Sequence, residues 1–533
     1  MVDGEWVDDP IRVKEEFRTH FAMRFQAPAA NRYRLDFWSP NRLSLEQAFD
    51  LESPVTNDEI RCNSSFVALI PKINDPRFVS DYRPISLIGS LYKVVTKVLA
   101  TRLSLVIWDL ISDVQTTFLP NRQIIDEPFI INELLSWCNH YKQQAMLFKV
   151  DFSKAYDSVR WDYLDDVLRF FGSKWFSWIS GSLISGMASI LVNGSLTSEF
   201  QFHCGLKQGD PLDPYLFILI MESLHLSFSR VVDAGLFKGI RIGSSLMISH
   251  LFYVDDAVFI GEGSDNNHTR IMHIFHCFSL SSGLRINILK SHLLGVSVPR
   301  DIVNNAATIL GCLVMMTPFK YLGVMVGGNM SLVKAWDQVI GKLNSRLSKW
   351  KRNTLSIGGQ LTLLKSILGS TLIYTMSIYK VPKLVLHSME VIRRKFFYGI
   401  HGEDKKITWV SWSKVLAAKE YGGLGVSSYH ALNRALLFKW EVQSLKSQGV
   451  DLLSHCRIRV GNGFRTRSVP TRTNLLQRNV SVPSLLYPTC SSSPEDISHL
   501  LFKCSLAVDV SRLICRWWDL SWSPLVSYSE WLD

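Results

Sequence analysis

The chain has 533 residues, length enough for about three or four domains, and 47% hydrophobic against 20% charged residues excludes wholesale disorder. Nine cysteines scattered through mostly apolar contexts argue against a disulfide framework and for a reducing compartment. The net charge of +11 is concentrated, because Lys334 to Lys406 holds 14 Lys/Arg against four acids, a basic segment suited to a polyanion rather than a neutral ligand.

The opening residues are acidic and lack an apolar core, so they do not read as a signal peptide. No apolar run approaches about 18 residues, so no membrane contact is expected. The expected location is the nucleus or cytoplasm, without secretion. A helix is predicted from Val13 to Met23, followed by Pro- and Asn-rich coil to residue 61. Phe66-Val-Ala-Leu-Ile70 reads as a strand, Asn74-Asp-Pro76 as a turn, and Leu91 to Ile107 as a basic amphipathic helix. Met146-Leu-Phe-Lys-Val150 reads as a buried strand that delivers Asp151 to its C-terminal edge. Trp161 to Ile184 is apolar and helical with a break near Gly172, and Ser189 to Gly194 is a strand entering a turn. Gly205-Leu-Lys-Gln-Gly-Asp-Pro-Leu-Asp-Pro214 is a glycine-bearing loop, suited to close backbone approach by a ligand, that enters an apolar helix from Pro214 to Phe228. Leu251-Phe252-Tyr253 and Ala257-Val258-Phe259-Ile260 are two strands joined at an acidic turn. From about 331 to 450 the pattern is helical, with Gly358-Gly359 as a break. Residues 451–533 are rich in Ser, Pro, Cys and Trp and form a separate small module. The mixture predicts an α+β fold, an antiparallel sheet backed by helices.

The acidic turn Asp255-Asp256 is the most informative element. Two packed carboxylates repel, and each raises the other's pKa unless cations neutralise them. That makes the pair useful as a Mg²⁺ site, although Asp-Asp is also an ordinary solvated turn and would be read so on its own. Asp151 alone would read as a helix N-cap.

The three blocks around Asp151, Gln208-Gly209 and Asp255-Asp256, in this order, resemble the reverse transcriptase domain. The likeness is greatest to plant non-LTR (LINE-type) retrotransposons. Ala68-Leu-Ile-Pro-Lys72, Asp81-Tyr-Arg-Pro-Ile-Ser-Leu87, Gln115-Thr-Thr-Phe-Leu-Pro-Asn-Arg-Gln123, Ser282-Gly-Leu-Arg-Ile-Asn287 and Phe319-Lys-Tyr-Leu-Gly323 extend it. The resemblance implies a right-hand polymerase. A linker remnant would occupy 1–61, partly deleted fingers 62–125, a ferredoxin-like palm 126–330, a basic helical thumb 331–450 and a zinc-binding-like module 451–533. It implies RNA-directed DNA synthesis with RNA template, DNA primer and dNTPs as partners, the RNA being that of the element itself. Asp151, Asp255 and Asp256 would be catalytic and, with the Phe152 carbonyl, would hold two Mg²⁺ (or Mn²⁺) ions. Lys72 and Arg83 would hold the triphosphate, Tyr156 would crowd a ribose 2′-OH, Gln208 and Gly209 would contact the template and nascent base pair, and Lys290 would lie near the phosphates. Cys490, His499 and Cys504 match three of four Zn²⁺ ligands, with Tyr487 in the place of the first cysteine.

Four departures accompany the likeness. Arg61 joins directly to Cys62, where the family has several dozen further fingers residues. Asp213 replaces a usual serine, Cys204 a common basic residue, and the endonuclease that usually precedes the polymerase has no counterpart before residue 62. The alternative expectation is therefore an inactive, eroded remnant that only binds RNA or DNA.

Overall fold

The computed structural model describes residues 6–29, 32–34, 42–52, 64–119, 122–243, 246–348, 356–365, 369–399, 410–419 and 422–447, with short pieces of 484–512. The chain divides into two units, Met1–Asn329 and Met330–Asp533.

The first unit opens with α1 (Pro10–Arg24), capped by Asp9, whose carboxylate accepts from the Arg12 N–H at 2.8 Å. After α2 (Leu45–Leu51), β1 (Ser64–Pro71) and β2 (Tyr82–Ile88) form an antiparallel pair. Two helices follow, α3 (Ser90–Leu110) and α4 (Asp126–Tyr141), then β3 (Ala145–Val150) and the short β4 (Phe152–Ser153). α5 (Trp161–Leu168) and α6 (Ser173–Ile184) flank Gly172 as predicted. Any side chain there would strike Glu52, whose carboxylate accepts from the Lys174 N–H at 2.8 Å and caps α6 from another element.

β5 (Met187–Val192), β6 (Ser195–Leu196) and β7 (Phe200–Gln201) complete a sheet of order β2-β1-β5-β6, with β7 also on β5. α1 covers one face of this sheet. Phe21 and Phe25 are buried against Val67, Ala188, Ile190, Phe200 and Phe202, and burial of each ring contributes about 1.5–3 kcal/mol. This corrects the reading of residues 1–61 as a linker: in its described part, the segment supplies a core-forming helix. The apolar residues of α1 are too few to reveal this without their partners.

α7 (Asp213–Asp233) leads through the hairpin β8 (Ile240–Ile242) and β9 (Leu246–Ile248) to β10 (His250–Tyr253) and β11 (Asp256–Gly261). α8 (Asp265–Ser282), β12 (Arg285–Ile286), β13 (His292–Val296), α9 (Arg300–Leu310), β14 (Leu313–Val314), β15 (Phe319–Tyr321) and β16 (Val324–Val326) close the unit. α7 corrects the expectation that no apolar run is long enough to span a bilayer, since by length and composition it is. Leu216 to Leu224 are nevertheless buried without a break, as in a core helix.

The second sheet has the order β10-β11-β3-β13-β14. Its first four strands are mutually antiparallel, and helices connect β3 to β10 and β11 to β13. That is the βαββαβ, ferredoxin-like arrangement. Alternation along β3 serves two cores. Ala145 and Leu147 face α4 and the β15–β16 hairpin, while Met146, Phe148 and Val150 face the large helical core. Lys149 is the polar exception on the first face.

The second unit consists, in its described part, of α10 (Asp337–Ser348), α11 (Ile357–Leu363), α12 (Gly369–Ile378), α13 (Lys383–Tyr398), α14 (Trp412–Leu416) and α15 (Tyr429–Ser447). Gly358 and Gly359 do not interrupt a helix as predicted. They lie in the first turn of α11, where the Ser356 hydroxyl accepts from the Gly359 N–H at 3.2 Å. Arg393, one of the charges of the basic segment, is buried: it pairs bidentately with Glu390, Nη2 to Oε1 at 2.7 Å and Nε to Oε2 at 3.2 Å, donates to the Ser427 carbonyl and lies 4.1 Å over the Tyr429 ring. Lys334, Lys342, Lys365, Lys380, Lys383, Arg394 and Lys395 are exposed.

Candidate active site

The end of β3 is where the first unit concentrates its chemistry. Asp151 follows the last residue of β3, and its backbone is clamped from both sides. Its N–H donates to the Ser291 hydroxyl at 3.1 Å, and its carbonyl accepts from the Asn287 N–H at 2.7 Å. Pairing of β4 with β12 extends the clamp.

The β10–β11 hairpin turns at Val254-Asp255, with Val254 at φ 54°. Glycine usually occupies such a position, and a β-branched residue there is strained. The strain is held by Gln115, whose side-chain oxygen accepts from the Val254 N–H at 3.2 Å, and by Phe252, which exchanges backbone hydrogen bonds with Val114 and Thr116. Because Ala257 pairs with Val150, the next residues outward, Asp256 and Asp151, end adjacent strands. Burial raises the Asp255 pKa first, then the Asp256 and Asp151 charges raise it further. Burial and Asp256 likewise raise that of Asp151 against the nearby Lys290. Asp256 itself lies 3.5 Å from Lys149 Nζ, and Lys149 sits over the Tyr321 ring at 5.6 Å.

A cleft of about 590 Å³ opens beside these carboxylates. Of the residues singled out in the sequence, Lys72, Arg83, Asp151, Phe152, Tyr156, Gln208, Gly209, Asp255 and Lys290 all line it. Asp256 lies alongside, turned to Lys149. Tyr156 stacks on Phe217, ring centroids 4.6 Å apart. Lys72 Nζ donates to the Ser80 carbonyl at 2.8 Å, and burial together with the neighbouring Arg24 charge lowers its pKa.

The glycine loop is positioned by its backbone. Ser86 N–H donates to the Gln208 carbonyl at 2.7 Å, and Gly209, at φ 118°, has no room for a side chain because a Cβ would stand 2.7 Å from the Ser86 carbonyl oxygen. Gly205 and Leu206 donate to the Val159 and Tyr156 carbonyls at 2.7 Å each. The departures Asp213 and Cys204 do not meet the cleft. The Asp213 carboxylate is buried and accepts from the Lys207 N–H, bracing the loop, and Cys204 packs among the Arg24, Gln26 and Asp157 carbonyls. The Arg61–Cys62 junction lies outside the described residues.

Sequence reasoning missed Arg24, Lys154, Asp157, Lys207 and Asn287, which also line the cleft. Asp157 lay inside a quoted motif and could have been flagged by its spacing from Asp151. Nothing in the sequence connects Arg24, 133 residues earlier, to it.

Three carboxylates, two of them with pKa values raised by burial and mutual repulsion, are a hard-oxygen donor set that fits divalent metal ions. In the second unit, Cys490, His499 and Cys504 bring their ligand atoms within 4.8 Å of one another, a second cluster able to hold a metal. Cys490 Sγ is 3.1 Å from His499 Nε2. Hydrogen bonds from Ser492 and then His499 lower the Cys490 pKa to about 6. Tyr487 packs edge-on to His499.

Residues 70–326 match the family model described as reverse transcriptase (RNA-dependent DNA polymerase). A 149 kDa protein of transposon TX1 from Xenopus laevis is 26% identical over 325 residues, 59% of this chain and 24% of the relative. The Pol polyprotein of the type-2 retrotransposable element R2DM of Drosophila melanogaster is 28% identical over 230 residues, 43% of this chain and 21% of its own. A putative ribonuclease H protein of Arabidopsis thaliana is 36% identical over 128 residues, 24% of this chain and 21% of the relative. The chain thus spans about a quarter of the length of these relatives.

Proposed function

Residues 70–326 belong to the reverse transcriptase family, in the form carried by non-LTR retrotransposons, and from that premise we propose that the chain extends a DNA primer along an RNA template. The observation that carries the proposal is the meeting of Asp151 and Asp255 with Lys72, Arg83 and Lys290 around one cleft. The acids and the cations serve different ends of a nucleoside triphosphate.

In the reaction the primer 3′-oxygen bonds to the α-phosphorus. The bond from that phosphorus to the pyrophosphate oxygen breaks, and the 3′-hydroxyl proton passes to solvent. Asp151, Asp255 and Asp256, with the Phe152 carbonyl, would hold two Mg²⁺ or Mn²⁺ ions, which when bound favour the 3′-alkoxide and neutralise the pyrophosphate. Lys72, Arg83 and Lys290 hold the triphosphate, the arginine through a planar fork that matches phosphate oxygens. Tyr156, fixed on Phe217, crowds the sugar and disfavours a 2′-hydroxyl. Gln208 and Gly209 carry the backbone that meets the template and nascent base pair. The chain is a right-hand polymerase in which the ferredoxin-like sheet is the palm, β1 and β2 belong to the fingers, and the basic helices of 331–450 are a thumb gripping the duplex by phosphate contacts. Its RNA would be that of its own element. Cys490, His499 and Cys504 would hold Zn²⁺, for which thiolate and imidazole are suited ligands.

The test is dNTP incorporation by the full chain on a primed RNA template with Mg²⁺. Incorporation well above an Asp255→Ala control supports the proposal. Incorporation equal to that control, with retained salt-sensitive RNA binding, would reduce the chain to a binding remnant. Zinc analysis of the wild type against Cys490→Ser settles the second cluster, with one equivalent lost on substitution as the expected result.

A further inference from the structure

Arg24 ends α1, ahead of the family match at residues 70–326, yet it lines the same cleft as Asp151, Lys72 and Gln208. Its side chain is only 4% exposed. One edge of the guanidinium is used: Nη1 donates to Asp157 Oδ2 at 3.0 Å. The other edge, Nε and Nη2, is buried with no hydrogen-bond partner. Buried donors left unmade are costly, and a ligand that reaches them recovers the loss. Nε–H and Nη2–H point the same way, as the two prongs that grip a phosphate or carboxylate bidentately.

The second oxygen of Asp157 accepts from Gln208 Nε2 at 3.1 Å, so one buried carboxylate joins Arg24 to the glycine loop. The backbone makes the same connection. His203 N–H donates to the Phe25 carbonyl at 2.9 Å, and a side chain at Gly205 would press on the Phe25 ring at 3.0 Å. Positive charge gathers at this end of the cleft. Lys154 and Lys72 feel Arg24 strongly enough that, after burial, it is the leading cause lowering each of their pKa values. Asp157 is the acid set against these three cations and is already shared with Gln208. An anionic ligand would balance the remainder.

We propose that Arg24 belongs to the nucleotide site: it positions Gln208 through Asp157 and binds the triphosphate of the incoming nucleotide through its free edge, beside Lys72 and Lys154. This rests on the polymerase reading of the cleft. It adds a substrate-contacting residue from outside the matched domain.

The experiment compares wild type, Arg24→Lys and Arg24→Gln in the full chain. It measures single-nucleotide incorporation on primed RNA, template–primer affinity by anisotropy, and binding of inorganic tripolyphosphate by calorimetry. Arg24→Gln is expected to raise KM for dNTP about tenfold and weaken tripolyphosphate in parallel, with template–primer Kd held within about twofold. Arg24→Lys keeps the charge and the Asp157 pair but loses the second edge, so about a threefold rise is expected. Should the glutamine variant fail to fold by circular dichroism, the lysine variant decides. Unchanged KM and tripolyphosphate affinity in Arg24→Lys, or a template–primer Kd that moves as far as KM, overturns the proposal. If even the wild type extends no primer, the polymerase reading falls separately. Arg24 is then judged by tripolyphosphate alone, equal affinity in all three proteins overturning it and weaker affinity in the variants supporting it.

Discussion

The ring of Tyr156 lies on that of Phe217, centroids 4.6 Å and planes 11° apart. Stacking fixes the tyrosine edge that borders the cleft, and Phe217 is itself fully buried in α7. Tyr156→Ala should therefore reduce the preference for dNTP over rNTP by about tenfold or more, with Tyr156→Phe close to wild type. Ratios of kcat/KM for the two nucleotides on one template check this. An unchanged ratio in the alanine variant means that the ring does not meet the sugar.

Asp255 is held above the usual carboxylate range by burial, then by Asp256 and Asp151. Its charge opposes folding when no cation is bound. Asp255→Asn should raise the Tm of metal-free protein at neutral pH, shrink the Tm gain on adding Mg²⁺, and lower incorporation by about a thousandfold. A Tm lowered in the metal-free variant would contradict the repulsion argument.

Glu127 is buried beneath the sheet, accepting from Tyr321 and from Thr116 at 2.5 and 2.8 Å. Burial raises its pKa from 4.5 to about 8 despite those donors. The unfolded chain releases this proton near 4.5 and the folded chain only near 8, so the folded state binds more protons between those values. Stability should be greatest below that window and fall as pH rises through it. Glu127→Gln should flatten the slope, measured as urea midpoints from pH 5 to 8 against wild type. An unaltered slope would show the proton to reside elsewhere.

Gly209→Ala would force a Cβ to 2.7 Å from the Ser86 carbonyl at a backbone φ of 118°. The loop must shift off β2, at a cost of about 1–3 kcal/mol. Raised KM for dNTP with a modest loss of Tm is the expected signature in steady-state kinetics and thermal melts.

Arg393 and Arg394 are neighbours with opposite fates. Arg393→Ala removes a fully buried guanidinium from the part-exposed Glu390, which keeps the Tyr429 N–H, and should cost about 1–3 kcal/mol in denaturant unfolding. Arg394→Ala should leave stability within about 0.5 kcal/mol and reduce the salt slope of RNA binding by up to about one.

Much of the first unit was legible because its signals are local. The period-two pattern around Asp255-Asp256 and the apolar run into Asp151 each report their own strand, and the two paired acids at adjacent strand ends follow from that. The glycines of the 205–209 loop announce a backbone that only glycine tolerates. What stayed hidden depends on distant partners. Val13 to Met23 predicts a helix, but not that Phe21 and Phe25 close a sheet whose strands end near residue 201. Gly358-Gly359 reads as a break until Ser356 is known to cap it. Arg393 counts as surface charge until Glu390 and Tyr429 enclose it.

Stitching of Phe25 to His203 has a temporal consequence. During synthesis at about 5–20 residues per second, α1 leaves the ribosome roughly 10–40 seconds before its sheet exists. Its aromatic face and the Arg24 charge must wait through that interval, so α1 should be among the last elements to dock although it is made well before its sheet. Refolding of the whole chain should accordingly be slow for its size, as contacts this distant in sequence demand.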